Sequence, residues 1–312
     1  MYYPYFRGKQ NELIAIKEQA ELISDHGFAP IIEPVKQNMN GLMRTLDALK
    51  ESGAAAVLIV NPKHGDFRRR NDQIIHLLSN RYSDYPDIRP GLLMDANSEL
   101  VQFPGLRSQF VNRPVALVHK GFNEASVLAR LIRDDAEIDT SIFINSDSLY
   151  RRHFNFHPTR VLVRDGFIKR VRNSDHPDAE EFSTLHLTFA EEGATNFGDF
   201  LIVGDEFSET GGPAYTVAIH LTYIDPHNDD RMYIRHFKSD SQDTPTDPGG
   251  KFLEALAKLI EHLDELGCLI EETEAIGEFR SLYARRHFPG LGTVKKLAMK
   301  HHIETLALFF DE

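Results

Sequence analysis

The chain has 312 residues, a formal net charge of −12, and 41% hydrophobic and 26% charged residues. This composition is typical of a globular protein with a sizeable core, and the negative charge argues against non-specific binding to nucleic acids. No apolar run reaches the ~18 residues of a membrane span, and the N-terminus does not resemble a secretory signal. The single cysteine, Cys268, excludes an internal disulfide. We therefore expect a cytoplasmic protein with no membrane contact.

The first half of the chain alternates between short apolar runs and amphipathic segments. Helical spacing of apolar residues predicts helices at 11–27, 39–53, 68–82 and 123–135. Apolar runs predict strands at 2–6, 29–35, 54–61, 89–96, 113–122 and 140–147. The strand runs are apolar almost throughout, which is typical of parallel strands covered on both faces.

The regular spacing of these strands indicates the architecture. Their ends fall near residues 7, 33, 61, 95, 119 and 145, one strand for each β/α unit. We predict an α/β fold with a (β/α)8 TIM-barrel-like sheet, whose strands seven and eight lie at 160–164 and 200–204. The alternative is a doubly wound sheet over 1–150 followed by an α+β domain.

The second half follows a looser pattern. Asp165-Gly166 lies between two β-prone runs and predicts a hairpin turn, and a longer β-hairpin is predicted over 214–237. We expect a barrel domain over 1–267, with the longer hairpin inserted, and a C-terminal helical appendage over 268–312 packed on the barrel.

Charged residues follow most of the predicted strand ends. In a barrel, the carboxyl ends of the strands share one rim, where active sites lie. Because lysine and arginine suit phosphate and carboxylate groups, we expect this rim to bind an anionic small molecule. The candidate ligand-binding residues are Arg7, Lys9, Lys36, Lys63, His119, Lys120 and Asp147.

Three carboxylates on the predicted rim are candidate catalytic residues: Glu33, Asp95 and Asp205. They would instead suit a divalent metal such as Mg²⁺, which prefers oxygen ligands. Glu33 or His119 would act as a general base if its surroundings bring its pKa toward neutrality. The alternative is that these are ordinary polar loop residues; Glu33, for example, precedes Pro34 at a turn.

Several stretches resemble bacterial proteins related to the phage beta-protein family. They are "YYPYFRGKQNEL", "IIEPVK", "NFGDFLIVGDEFSETGGPAYTVAIHLTY" and "KKLAMKHHIETL". The resemblance implies a mobile-element or phage-defence setting, with a small nuclease-like partner protein encoded nearby. It implies no catalytic residues.

Two main hypotheses about function follow, and the sequence leaves open whether the protein is an enzyme. The first is a barrel protein that binds an anionic or phosphorylated ligand at its rim and is a candidate hydrolase or phosphodiesterase. The alternative is a non-catalytic scaffold whose hairpin and C-terminal helices bind the partner protein. A third hypothesis is direct contact with nucleic acid through Arg68–Arg70 or Arg285–Arg286.

Overall fold

A computed structural model describes residues 1–68, 70–209 and 212–311. The chain forms two compact units, the first comprising Met1–Asp165 and Leu185–Phe200, and the second comprising Gly166–Thr184 and Leu201–Glu312. The boundary predicted at residue 267 falls inside the second unit, whereas the compact units divide near residues 165, 184 and 200.

Eight parallel strands form the sheet of the first unit. They are β1 (Tyr5–Phe6), β2 (Ile31–Ile32), β3 (Ala56–Ile59), β4 (Ile88–Asp95), β5 (Val115–Lys120), β6 (Ile138–Ile144), β7 (Thr159–Arg164) and β9 (Asn196–Asp199), while β8 (Ala179–Ser183) belongs to the second unit. They pair in chain order from β1 to β9. The sheet then returns on itself, because the Tyr3 amide donates to the Phe197 carbonyl at 2.8 Å. The predicted TIM-barrel-like fold is confirmed as a nearly closed barrel.

Helices flank this sheet, and each lies between consecutive strands. They are α1 (Gln10–Glu18), α2 (Ala20–Asp25), α3 (Asn40–Glu51), α4 (Asp72–Asn80), α5 (Phe103–Arg107), α6 (Ala125–Ile132), α7 (Ser148–Arg151) and α8 (Leu185–Thr188). Helix α3 shows why they form: its leucines at positions 42, 46 and 49 recur at helical spacing and are buried. The helices thus cover the outer face of the strands.

The interior of the barrel is filled by side chains that alternate along the strands. This core includes Tyr5, Ile31, Leu93, Val118 and Phe200. Because side chains in a strand alternate between the two faces, the residue two positions after a core residue points to the same side. On β1, β2, β4 and β5 those next inward positions are Arg7, Glu33, Asp95 and Lys120. The alternation of side chains along the strands therefore places four charged side chains at the mouth of the barrel.

The second unit contains a small antiparallel sheet and three long helices. Strand β10 (Ala218–Asp225) pairs with β11 (Arg231–Lys238), which pairs with β8. The helices are α9 (Pro248–Leu263), α10 (Glu274–Ala284) and α11 (Leu291–Asp311). Helix α11 packs on β10, where His301 Nε2 lies 2.9 Å from the Thr222 carbonyl oxygen. The predicted hairpin is thus confirmed, and it forms two of the three strands of this sheet.

Two local predictions were wrong. The eighth barrel strand is Asn196–Asp199, and the more apolar stretch Leu201–Val203 is a 3-10 turn in the second unit. The strand is short and half polar, so only its pairing with β7 identifies it. Asp165-Gly166 is not a hairpin turn. Glycine is required there because a Cβ atom on Gly166 would lie 2.7 Å from the Phe182 carbonyl oxygen.

Closure of the barrel makes Gly198 sensitive to substitution. A Cβ atom at this position would lie 2.1 Å from the Tyr3 carbonyl oxygen, which cannot move without opening the seam between β9 and the N-terminal segment. We expect Gly198→Ala to lower the free energy of unfolding by about 3 kcal/mol or more, as measured by urea denaturation.

The matched control is Gly105→Ala in α5, where a new Cβ atom meets nothing within 4 Å. We expect this variant to change the free energy of unfolding by no more than about 1 kcal/mol. Equal stability of the two variants would contradict the closed seam.

Candidate functional site

Glu33 is a fully buried carboxylate at the mouth of the barrel. It follows β2, and its side chain is only 1% exposed. The Tyr5 hydroxyl donates to Glu33 Oε2 at 3.0 Å, and the Lys63 amide donates to Oε1 at 3.0 Å. His64 Nδ1 lies 2.9 Å from Oε1, and Arg7 Nη1 lies 3.4 Å from Oε2. Groups from β1 and from the loop after β3 therefore surround this carboxylate.

These partners keep Glu33 ionised although it is buried. Burial alone would raise the pKa of a carboxylic acid, because it removes water from the charged form. The hydrogen bond with His64, the positive charge of Arg7 and the amide of Lys63 outweigh burial and lower the pKa of Glu33 to about 2. A carboxylate this weakly basic is a poor general base at neutral pH. Glu33 therefore organises the mouth and does not suit the role of proton acceptor.

Two glycines allow the loops around Glu33 to approach one another. Gly8 and Gly65 have φ angles of +61° and +67°, in the left-handed region that favours glycine. A Cβ atom on Gly65 would lie 2.0 Å from the Val35 carbonyl oxygen, and one on Gly8 would lie 3.0 Å from the Glu33 carbonyl oxygen. The loops after β1, β2 and β3 are thus packed backbone against backbone.

Lys63 connects the Glu33 cluster to the end of β4. Its Nζ lies 3.3 Å from Asp95 Oδ1 and 3.4 Å from Ser98 Oγ. Asp95 Oδ1 also accepts hydrogen bonds from Ser98 Oγ at 2.8 Å and from the Asn97 amide at 3.0 Å. Asp95 therefore shapes its own loop and holds the ammonium group of Lys63 beside it.

Arg7 and Lys120 lie over the same aromatic ring. The Arg7 guanidinium carbon is 5.2 Å from the centre of the Phe200 ring, and Lys120 Nζ is 5.9 Å from it. Both distances are within the range of cation–π attraction. Because Phe200 belongs to the barrel core, these cations mark the inner floor of the mouth.

A cationic pocket of about 250 Å³ opens between the loops that follow β3 and β4. Lys63, Arg68 and Arg70 line it together with Asn61 and a single carboxylate, Glu99, among others. Arg68–Arg70 were predicted only as a contact for nucleic acid, and Arg69 lies outside the residues that the structure describes. The signal that could have found this pocket is an arginine cluster placed directly after a strand end.

The remaining predicted site residues are spread more widely. The Lys9 carbonyl accepts from the Leu13 amide at the start of α1, and Lys36 is exposed on the loop after β2. Asp147 caps α7, since its Oδ1 accepts from the Tyr150 amide at 2.8 Å. Asp205 belongs to the second compact unit.

His119 does not lie at the mouth, which corrects the expected position. Its neighbours Val118 and Lys120 face inward, so the imidazole faces the outer side of the sheet. There Nδ1 lies 2.8 Å from the Tyr150 hydroxyl, and the ring stacks on Phe143 at 4.8 Å. Burial lowers the pKa of His119 well below its ordinary value, so the imidazole is a neutral core group.

The predicted magnesium site has no counterpart among the described residues of the barrel. No three histidine, cysteine, aspartate or glutamate side chains there place ligand atoms within 4.8 Å of one another. Glu33 is occupied by the donors described above, and Asp95 is held by Lys63 and its own loop. The arrangement at the mouth is cationic and better suited to an anion.

Comparison with protein-family models and with curated proteins finds no match to this chain. None of the helices in the described residues combines the length and apolarity needed to cross a membrane.

The pKa of Glu33 makes stability depend on pH. In the folded state this pKa falls from 4.5 to about 2, so ionisation of Glu33 stabilises the fold fully above pH 4.5 and progressively less toward pH 2. We expect Glu33→Gln to lower the free energy of unfolding by roughly 3 kcal/mol at about pH 7. The difference from wild type should shrink as the pH falls, which urea denaturation at a series of pH values will measure.

Glu21→Gln is the matched control, because Glu21 is exposed on α2. We expect it to change the free energy of unfolding by less than about 0.5 kcal/mol at every pH. A Glu33→Gln deficit that stays constant between neutral and acidic pH would contradict the electrostatic account.

Proposed function

We propose that the cationic pocket beside the mouth of the barrel binds a small anionic molecule that carries a phosphate group. The observation that carries this proposal is the pocket of about 250 Å³ lined by Lys63, Arg68 and Arg70. Arginine presents a planar fork of donors that matches phosphate oxygens, and lysine adds a compact charge. The pocket is at the small end of ligand sites, which favours a compact ligand over a polymer.

The charge around the pocket supports an anion. Three cations line it against one carboxylate, although the chain as a whole has a net charge of −12. That carboxylate, Glu99, accepts a hydrogen bond from Gln102 at 2.9 Å. Such a local excess of positive charge in an acidic protein attracts a small anion, while the surrounding negative charge repels nucleic acid.

The same geometry favours binding over catalysis by Glu33. Its oxygens are taken by Tyr5, Lys63 and His64, and its pKa of about 2 makes it a weak base. Phosphodiester hydrolysis remains part of the proposal only with Asp95 as the catalytic carboxylate. Its carboxylate lies 3.3 Å from the Nζ atom of Lys63. The phage-defence or mobile-element setting rests on the sequence resemblance alone.

The scaffold hypothesis gains no such support. It relied on a projecting hairpin, but β10 and β11 form one sheet with β8, and β10 packs against α11 and α9. We therefore retain anion binding as the proposed function.

Inorganic pyrophosphate and AMP are suitable probes of the pocket. We expect both to bind the wild-type protein in isothermal titration calorimetry, and an Arg68→Ala/Arg70→Ala variant to bind at least about tenfold more weakly, a loss of about 1.4 kcal/mol. The affinity for both probes should fall moderately as the salt concentration rises, because only a few charged side chains of the pocket contact the anion.

Arg44→Ala is the control, because Arg44 is an exposed arginine on α3 that does not line the pocket. It removes one positive charge without touching the site, so its affinity should equal that of wild type. Absence of binding by wild type at about 1 mM probe, or equal losses in Arg44→Ala and the double variant, would overturn the proposal.

A further inference from the structure

Three potential metal ligands converge in the second unit. His236 lies on β11, and Glu180 lies on the neighbouring strand β8, opposite Ile234. His176 precedes β8, and a backbone hydrogen bond of 2.9 Å from the His236 amide to the Asp178 carbonyl holds that segment against β11. Sheet pairing therefore brings together residues that are up to 60 positions apart in the sequence.

The distances between the ligand atoms fit a metal site. Glu180 Oε1 lies 3.3 Å from His236 Nε2 and 3.6 Å from His176 Nδ1. The three atoms all lie within 4.8 Å of one another. Ligands that hold Zn²⁺ at about 2.1 Å in a tetrahedron are about 3.4 Å apart, which is close to the two shorter separations.

The same three atoms lack hydrogen-bond partners among the described residues. His176 Nδ1, Glu180 Oε1 and His236 Nε2 are all buried and unsatisfied. The side chains of His176 and His236 are only 2% and 0% exposed. A buried polar atom without a partner is destabilising, so three such atoms within 4.8 Å of one another indicate a missing group.

Neighbouring side chains orient two of the ligands. His220 Nδ1 lies 2.6 Å from His236 Nδ1, and Arg170 Nη2 donates to Glu180 Oε2 at 2.6 Å. These contacts use His236 Nδ1 and Glu180 Oε2. They leave His236 Nε2 and Glu180 Oε1 available to the cluster. Outer-shell partners of this kind are a regular feature of metal sites that use histidine.

The geometry points to a Zn²⁺ site whose protein ligands are His176, Glu180 and His236, in which a water molecule would supply the fourth ligand. Two imidazoles and one carboxylate suit Zn²⁺ and related transition metals, whereas Mg²⁺ and Ca²⁺ prefer oxygen ligands. The site is independent of the anion pocket, since its residues belong to the second unit.

The competing interpretation is a simple ion pair between Glu180 and a protonated histidine. It predicts no metal binding and no effect of Zn²⁺ on stability. The two interpretations therefore separate in one set of measurements on the full-length protein.

The test is metal titration of protein that has been treated with a chelator. We expect wild type to bind one Zn²⁺ per chain in competition with a chromophoric chelator, to give the visible absorption of tetrahedral Co²⁺, and to melt at higher temperature with Zn²⁺. Mg²⁺ should have no effect. His176→Ala, His236→Ala and Glu180→Gln should each weaken Zn²⁺ binding at least about 100-fold, and His220→Gln about 10-fold or more.

His227→Gln is the control, since His227 is exposed on the turn of the same hairpin. It should bind Zn²⁺ as wild type does. Circular dichroism of every variant separates loss of a ligand from loss of the fold, and the Co²⁺ spectrum of wild type does not depend on any variant. The proposal is overturned if wild type binds no Zn²⁺, if it shows no tetrahedral Co²⁺ spectrum, or if His227→Gln loses as much affinity as His236→Ala.

Discussion

The ionised carboxylate of Glu33, buried at the mouth of the barrel, is the constraint on which the site depends. A buried charge is stable only when donors and opposite charge surround it, and here Tyr5, Arg7, Lys63 and His64 supply both. These partners come from the first and third strand ends, while Glu33 comes from the second. One carboxylate therefore fixes three neighbouring loops in a single arrangement.

That arrangement decides what the mouth can bind. Because Glu33 is already neutralised by its own partners, it does not cancel the cations of the adjacent pocket. Lys63 belongs both to the cluster around Glu33 and to the pocket. Its amide donates to Glu33, and its ammonium group lies beside Asp95. Arg68 and Arg70, which follow β3, complete the cationic lining of the pocket. The result favours recognition of a compact anion over proton transfer by Glu33.

In the second unit, strand pairing positions the candidate site. Its candidate metal ligands are held by the pairing of β8 with β11 and by the contacts of His220 and Arg170. Three unsatisfied buried atoms in one place are unusual in a folded protein, where nearly all such atoms have partners. A bound cation would satisfy all three at once.

The sequence predicted the barrel because its signal is local and repeated. Apolar strand runs recur with each β/α unit, and the charged residues that follow them, such as Glu33 and Lys120, could be placed at one rim by topology alone. The face to which each side chain points was harder to predict, because a shift of one residue along a strand reverses it. His119 is the example: its side chain lies on the outer face of the sheet and not at the mouth. The short strand Asn196–Asp199 was not predicted, because its composition is not typical of a strand and only its pairing with β7 identifies it.

The convergence of His176, Glu180 and His236 was equally hidden from the sequence. Only the first two are close in the chain, and the register between β8 and β11 brings the third to them. The three-stranded sheet itself was not predicted, because only its hairpin has a local signal. Sites built by register between distant strands need coordinates before they can be recognised.

A double-mutant cycle between Arg7 and Glu33 tests the central claim most directly. The free energies of unfolding of Arg7→Met, Glu33→Gln and the double variant are compared with that of wild type at neutral pH. If the buried carboxylate and guanidinium stabilise each other, the cycle gives a coupling free energy of at least about 1.5 kcal/mol, and the double variant is more stable than the sum of the single losses implies. Additivity within about 0.5 kcal/mol would show that the two groups act separately, which would contradict the account.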